Sequence, residues 1–355
     1  MSVTPKFPQV TPSFHSVLKQ RVNRYFEENN LTPTGGWRLF TKAILLFGML
    51  TAAYLVLILV QPATPYALGL CVLIGLLIAA IGFNIMHDGS HGSFSKYGFI
   101  NKLAALTLNL LGGSAFMWNQ KHNVIHHAYT NVHDVDDDLD AGFLMRMSEH
   151  QPKLAIHRLQ HLYFWILYCI LYLFWVFYSD FGKYFKGRIG TVPLKKMALK
   201  DHLSFWTGKA LFTTVFMVIP IYQFGFVNWL LGFLLMTTVS GFVLSIVFQL
   251  AHTVQDTHFP LANEAGKMED EWAVHQLKTT ANFATRNRVI SWLVGGLNFQ
   301  VEHHLFPRIS HIHYPAINKI VKQACAEFNV PYIEYRTMRR AIWSHVSYLR
   351  ALGRA

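Results

Sequence analysis

The sequence predicts an all-α, polytopic membrane protein: four transmembrane helices in two hairpins, carrying a cytoplasmic helical cap. Three observations predict it. Of 355 residues, 52% are hydrophobic and only 14% charged, against roughly 25% charged in an average soluble domain. Four runs almost free of charge approach the ~20 residues needed to cross the hydrocarbon core. Many of the 19 histidines cluster near the same ends of those runs.

Residues 1–40 are polar and basic, with no compact apolar stretch before a cleavage site, and are expected to form a cytoplasmic N-terminal segment without a signal peptide. Spans at about 43–60 and 67–85 follow, joined by "QPATPY", a short Pro-containing loop without Lys or Arg. The positive-inside rule puts that loop outside and the flanks bearing Arg38, Lys42 and Lys96 in the cytoplasm. Spans at about 208–224 and 228–251 form a second hairpin through "QFGFVN", which also lacks basic residues.

Two further apolar runs, 103–118 and 162–178, complicate the count. The second has Arg158 before it and Lys183, Lys186 and Arg188 after it. A single crossing would strand one basic flank outside, so both runs are expected to lie in the interface, as the Trp and Tyr content of 162–178 also suggests. Residues 41–335 then form one membrane-embedded domain, and 336–355 a basic tail. Cys71, Cys169 and Cys325 are far apart and suggest neither a disulfide framework nor a thiolate metal site. The net charge of +12 suits an anionic bilayer surface or an acidic protein partner. The hydrophobicity speaks against nucleic acid.

Position matters more than number for the histidines. His87 and His91 in "HDGSH" stand just past the cytoplasmic end of the second span, and i and i+4 share a helix face. "HNVIHH" supplies His122, His126 and His127, an i, i+4 pair plus one ring turned by about 100°. His252 ends the last span, and Gln300, His303 and His304 in "QVEHH" stand at i, i+3 and i+4. Each small set alone is more simply a hydrogen-bonded polar group at a helix end. Four sets on one side of the membrane at one depth point to metal.

Imidazole suits zinc, copper, nickel and iron rather than calcium or magnesium. A structural zinc takes four ligands and a catalytic one three, so eight histidines imply two ions. Asp88, Glu302 and the run "DVDDDLD" (Asp134, Asp136, Asp137, Asp138 and Asp140) are candidates to orient the rings. Trp118, Trp272, Trp292 and Phe299 are candidate walls for a substrate tunnel.

In order, spacing and relation to the spans, "HDGSH", "HNVIHHAYTN" and "GGLNFQVEHHLFP" together resemble the three histidine boxes of membrane fatty acid desaturases. The resemblance covers residues from about 40 to 335. "QVEHH" is similar to the front-end subgroup, in which Gln replaces the third box's first histidine.

The resemblance implies that the cap holds a His-rich di-iron site formed by His87, His91, His122, His126, His127, His252, Gln300, His303 and His304. It implies an enzyme that uses O2 and external electrons to take two hydrogens from adjacent carbons of an acyl-CoA or acyl-lipid, leaving a cis double bond and two water molecules. Related acyl-CoA enzymes have an Asn one turn before the span-end histidine; Phe248 stands there in this chain. Front-end enzymes often carry a fused cytochrome b5 domain, but no His-Pro-Gly-Gly motif occurs here. A separate donor of ferredoxin, flavodoxin or cytochrome b5 type is therefore expected.

The nearest alternative keeps the two irons and yields a hydroxylase or alkane monooxygenase. A His-rich metal-binding protein or transporter fits less well, because the histidines crowd at span ends and not at the midplane. No "HExxH" supports a metalloprotease.

Overall fold

The computed structural model describes residues 5–139 and 141–355; of the candidate acids, Asp140 lies outside the described residues. The described chain is almost entirely helical. Helix α1 (Phe14–Glu28) starts at Ser13, whose hydroxyl accepts from the Ser16 amide. It buries Phe14, Leu18, Val22 and Phe26, a four-residue repeat that gives one apolar stripe.

Five helices are long and apolar enough to cross a membrane: α2 (Gly36–Val60), α3 (Thr64–His91), α5 (Ala155–Lys186), α6 (Leu199–Phe224) and α7 (Phe226–His252). Between α3 and α5 lies the shorter α4 (Gly98–Leu110). The four expected spans all fall within these helices. The fifth is the run expected at the interface: residues 162–178 are part of one continuous 32-residue helix. Its basic end is not bare, since Lys183 pairs with Asp137 at 3.3 Å. A paired, snorkelling lysine constrains a helix less than the charge-flank argument assumes.

Helix α7 packs against both α3 and α5, and glycine makes both approaches close. A Cβ on Gly75 would stand 2.5 Å from the Met236 carbonyl oxygen, and one on Gly241 2.8 Å from the carbonyl oxygens of Tyr168 and Cys169. Small residues at such contacts let backbones meet where lipid offers no hydrophobic drive. The Ser240 hydroxyl bonds the Gly75 carbonyl at 3.0 Å across the first of them. Lys209 on α6 is buried against Asp180 on α5 at 2.9 Å and also donates to the carbonyls of Gly112 and Val176. The charge is thereby fully bonded, as an apolar surrounding requires.

After α7 the described chain folds into shorter helices. It contains α8 (Trp272–Thr279), α9 (Arg288–Leu293), α10 (Gln300–Leu305), α11 (Tyr314–Phe328) and α12 (Met338–Leu352). A short parallel strand pair joins Asn282–Phe283 to Glu334–Tyr335. Helix α1 packs on α11, with Phe14 edge-on to Phe328. The basic stretch 336–355 contains α12, whose Ala341, His345 and Leu349 are completely buried.

Candidate metal centre

Helix α3 runs without a break into His87 and His91 and stops at Gly92, which has φ +75. Helix α7 ends on His252, so two parallel helix ends bring three imidazoles to one level. The second histidine stretch runs from an α-helical turn, Ala115–Trp118, into Asn119–His126, which is wound wider than an α-helix. The His127 amide donates to the His122 carbonyl at 3.1 Å, an i to i+5 bond. The wider turn brings His127 back beneath His122, with their Nε2 atoms 3.2 Å apart. Helix α10 supplies Gln300, His303 and His304.

All eight histidines and Gln300 are buried, none more than 9% exposed. Ligand atoms of His87, His91, His122 and His303 all lie within 4.8 Å of one another, and so do those of His126, His252 and His304. His127 stands between the two groups, its ring centroid 4.5 Å from that of His303 and 4.4 Å from that of His304. His122, His126 and Asp138 form a third, overlapping group.

The donor set passes a direct test of fitness for metal. Nε2 of His91, His126, His252, His303 and His304, Nδ1 of His127 and Oε1 of Gln300 are buried without a hydrogen-bond partner. Each such atom costs about 1–3 kcal/mol if nothing binds it. Nε2 of His87 meets only Nε2 of His122, at 3.3 Å. Nitrogens that converge unpartnered are suited to a cation.

The opposite ring nitrogens are held by protein. Nδ1 of His126 donates to Asp136 at 2.9 Å, and Nδ1 of His304 to the Gln276 side-chain carbonyl at 2.8 Å. Nδ1 of His303 lies 3.1 Å from the Tyr314 hydroxyl, and Nδ1 of His252 lies 3.4 Å from the Thr279 carbonyl oxygen. Fixing Nδ1 in this way aims Nε2 inward. Gln276 is itself fixed, accepting from Thr130 at 2.9 Å and donating to the His127 carbonyl.

Burial holds His122, His127, His303 and His304 well below the usual imidazole value, in the neutral form that binds metal. His126 goes the other way: burial lowers it, but Asp136 and Asp138 outweigh burial and raise it.

The candidate acids divide. Asp136 and Asp138 reach His126. Asp137 pairs with Lys121 and Lys183, and the Asp134 side chain is 80% exposed. Asp88 faces Ser310 at 2.7 Å and His311 at 3.0 Å. Glu302 is pushed up to about 7 by burial and accepts from Asn282, Asn318 and Tyr332, tying α10 to the strand pair and α11.

Among the aromatics, Trp118 stacks on His122 at 4.3 Å, and the Trp272 indole N–H donates to the His127 carbonyl. Phe299 is buried in a core shared with α1 and α11, while Trp292 is 43% exposed on the surface. Phe248 packs on His126 and His252, and the carbonyl of its neighbour Gln249 is taken by the Thr253 hydroxyl. Sequence reasoning missed Gln276, Thr130 and Tyr314. Gln276 lies 24 residues before Gln300 and Tyr314 lies 10 after His304, while Thr130 stands three residues past His127 within "HNVIHHAYTN", with no local pattern to mark any of them.

Fold and site together define a helical, membrane-type protein with a buried histidine cluster fit for metal ions. Residues 63–336 match the family model for fatty acid desaturases. The chain is 36% identical to the sn-1 linoleoyl-lipid 6-desaturase of Synechocystis sp., over 96% of each. It is also 36% identical to the acyl-lipid (8-3)-desaturase of Physcomitrium patens, over 96% of this chain and 72% of the relative. A third relative, the acyl-lipid (8-3)-desaturase of Mortierella alpina, is 31% identical over 98% and 79%. The chain belongs to the fatty acid desaturase family and is a membrane oxidoreductase acting on fatty acyl chains.

Proposed function

We propose that this desaturase places a cis double bond in the acyl chain of a membrane glycerolipid, on the carboxyl side of an existing double bond. His87, His91, His122 and His303 would hold one iron, and His126, His252 and His304 the other. His127 would serve between them, with Gln300 beside the set. The observation that carries this reading is the inward convergence of buried ring nitrogens that nothing else satisfies.

When bound, two irons supply the O2-dependent oxidising power that unactivated C–H bonds demand and side chains lack. The protein's part is placement and exclusion. Asp136, Gln276, Tyr314 and the Thr279 carbonyl hold four rings in one tautomer and direction. Trp118 and Phe248 close the apolar sides against His122, His126 and His252, keeping bulk water from the reacting carbons.

The basic flanks of the runs at 43–60, 67–85, 208–224 and 228–251 favour two hairpins with the centre and both termini on the cytoplasmic side. Electrons would then arrive there from a separate ferredoxin-, flavodoxin- or cytochrome b5-type protein. Expression in a host of known lipid profile, with mass spectrometric location of double bonds, tests the reading. New unsaturated acyl chains are expected; hydroxylated chains without new double bonds would refute it.

A further inference from the structure

Away from the histidines, a cleft of about 410 Å³ opens where α9 and α12 begin, lined by Arg286, Asn287, Arg288, Arg336 and Thr337 among others. The three arginines are exposed. Among the described residues no carboxylate lies within ion-pair distance of any of them. Glu334, which feels the field of Arg286, is already held by Lys322 at 2.5 Å and by the Thr285 hydroxyl.

Helix α12 adds Arg339 and Arg340 in its first turn. Cations there oppose the helix dipole, at about 0.3–1 kcal/mol each. An anion in the cleft would relieve that repulsion, and a guanidinium fork matches phosphate oxygens in particular.

The surroundings of the cleft say what the anion is attached to. On α9, Val289, Trp292 and Leu293 are 68%, 43% and 48% exposed, an apolar face beside a cationic one. Lys42 Nζ donates to the Trp292 carbonyl at 2.6 Å and lies over its ring. Helix α9 therefore sits beside the start of α2, where Ile44 is 73% exposed as a lipid-facing residue would be. A soluble anion has no use for such a flank. A lipid does.

The far end of α9 reaches the histidine centre. The Asn84 side-chain amide donates to the Leu293 carbonyl at 2.9 Å, three residues before His87. From Arg288 to Leu293 the helix rises about 8 Å. One acyl chain covers about 15 Å, half the ~30 Å hydrocarbon core.

We propose that this arginine cleft binds the phosphate of a glycerophospholipid, as the headgroup subsite for the lipid whose acyl chain enters the histidine centre. The assignment of that lipid as substrate rests on the desaturase reading above; the binding itself does not.

The test is native mass spectrometry of the full-length protein in detergent, titrated with phosphatidylglycerol or with a monogalactosyl lipid of the same acyl chains. The wild type should retain the phospholipid at least tenfold more strongly. The triple variant Arg286→Gln, Arg288→Gln, Arg336→Gln should hold the two lipids alike, at unchanged iron content. If that variant aggregates, Arg288→Gln alone decides, with about a threefold loss expected. Equal retention of both lipids by the wild type overturns the proposal, as does inorganic phosphate binding as tightly as the lipid. So does a variant that keeps its lipid but is reduced more slowly by an acidic redox protein. Lipid retention is read without turnover, so an inactive wild type would count against the desaturase reading alone.

Discussion

Asp136 and His126 meet at 2.9 Å with both side chains 1% exposed. The same Asp136 oxygen accepts from the Asn131 amide, so the carboxylate is fixed before it fixes the ring. Loss of such a partner typically weakens metal affinity by about 10- to 100-fold. Asp136→Asn should therefore leave a folded protein whose iron content, by elemental analysis, falls well below the two per chain expected of the wild type. Two tightly held irons in the variant would remove Asp136 from this role.

His303 reaches the first group of histidines through Nε2 and Tyr314 on α11 through Nδ1. His303→Ala should abolish double-bond formation while the detergent-solubilised protein still elutes as a single folded species. Retained desaturation would take His303 out of the centre. The wild type should carry close to two irons per chain, and stoichiometric zinc without iron would sink the oxidative reading.

The contact at Gly241 allows no side chain, because a Cβ would stand 2.8 Å from two carbonyl oxygens of α5. Gly241→Val should force the helices apart at a cost of about 1–3 kcal/mol, seen as a lower melting temperature in detergent. A variant as stable as the wild type would mean that α5 and α7 do not pack this closely.

His345 on α12 is fully buried, against Tyr168 at 2.8 Å and the Thr253 carbonyl at 2.6 Å. Burial lowers its imidazole to about 4, with the Thr253 hydrogen bond opposing. The folded-state value lies below that of the unfolded chain. Its contribution to stability is thus complete above about pH 6.5 and is lost as pH falls from there through about 4. At 1.36 kcal/mol per unit the effect is at most roughly 3 kcal/mol. In His345→Gln, the fall in melting temperature between pH 7 and pH 4.5 should be smaller than in the wild type. An identical acid profile would refute the assignment.

Much of this was legible in the chain because two periodicities were. Runs of apolar residues mark all five long helices, four of them expected as spans, and i, i+4 histidines near their ends mark the candidate site. The helix through 162–178 was harder to place, because one of its flanking lysines, Lys183, is paired by Asp137, a residue about 45 positions earlier that no local pattern connects to it. The three rings of "HNVIHH" also converge better than α-helical geometry allows. The i to i+5 turn that brings them together depends on packing that a residue pattern does not express. Gln276 and Tyr314 were invisible for a related reason: their significance lies in touching His304 and His303 across the fold, and a single Gln or Tyr carries no spacing signal.

His127 touches both halves of the centre through one imidazole, held in place by the backbone bond to His122. On the proposed two-iron reading, loading either half would orient a ring that the other half also needs, so neither would fill as though its neighbour were absent. Iron uptake by the apoprotein should accordingly be cooperative, steeper than two independent sites would give, with singly loaded chains scarce at every stage of the titration.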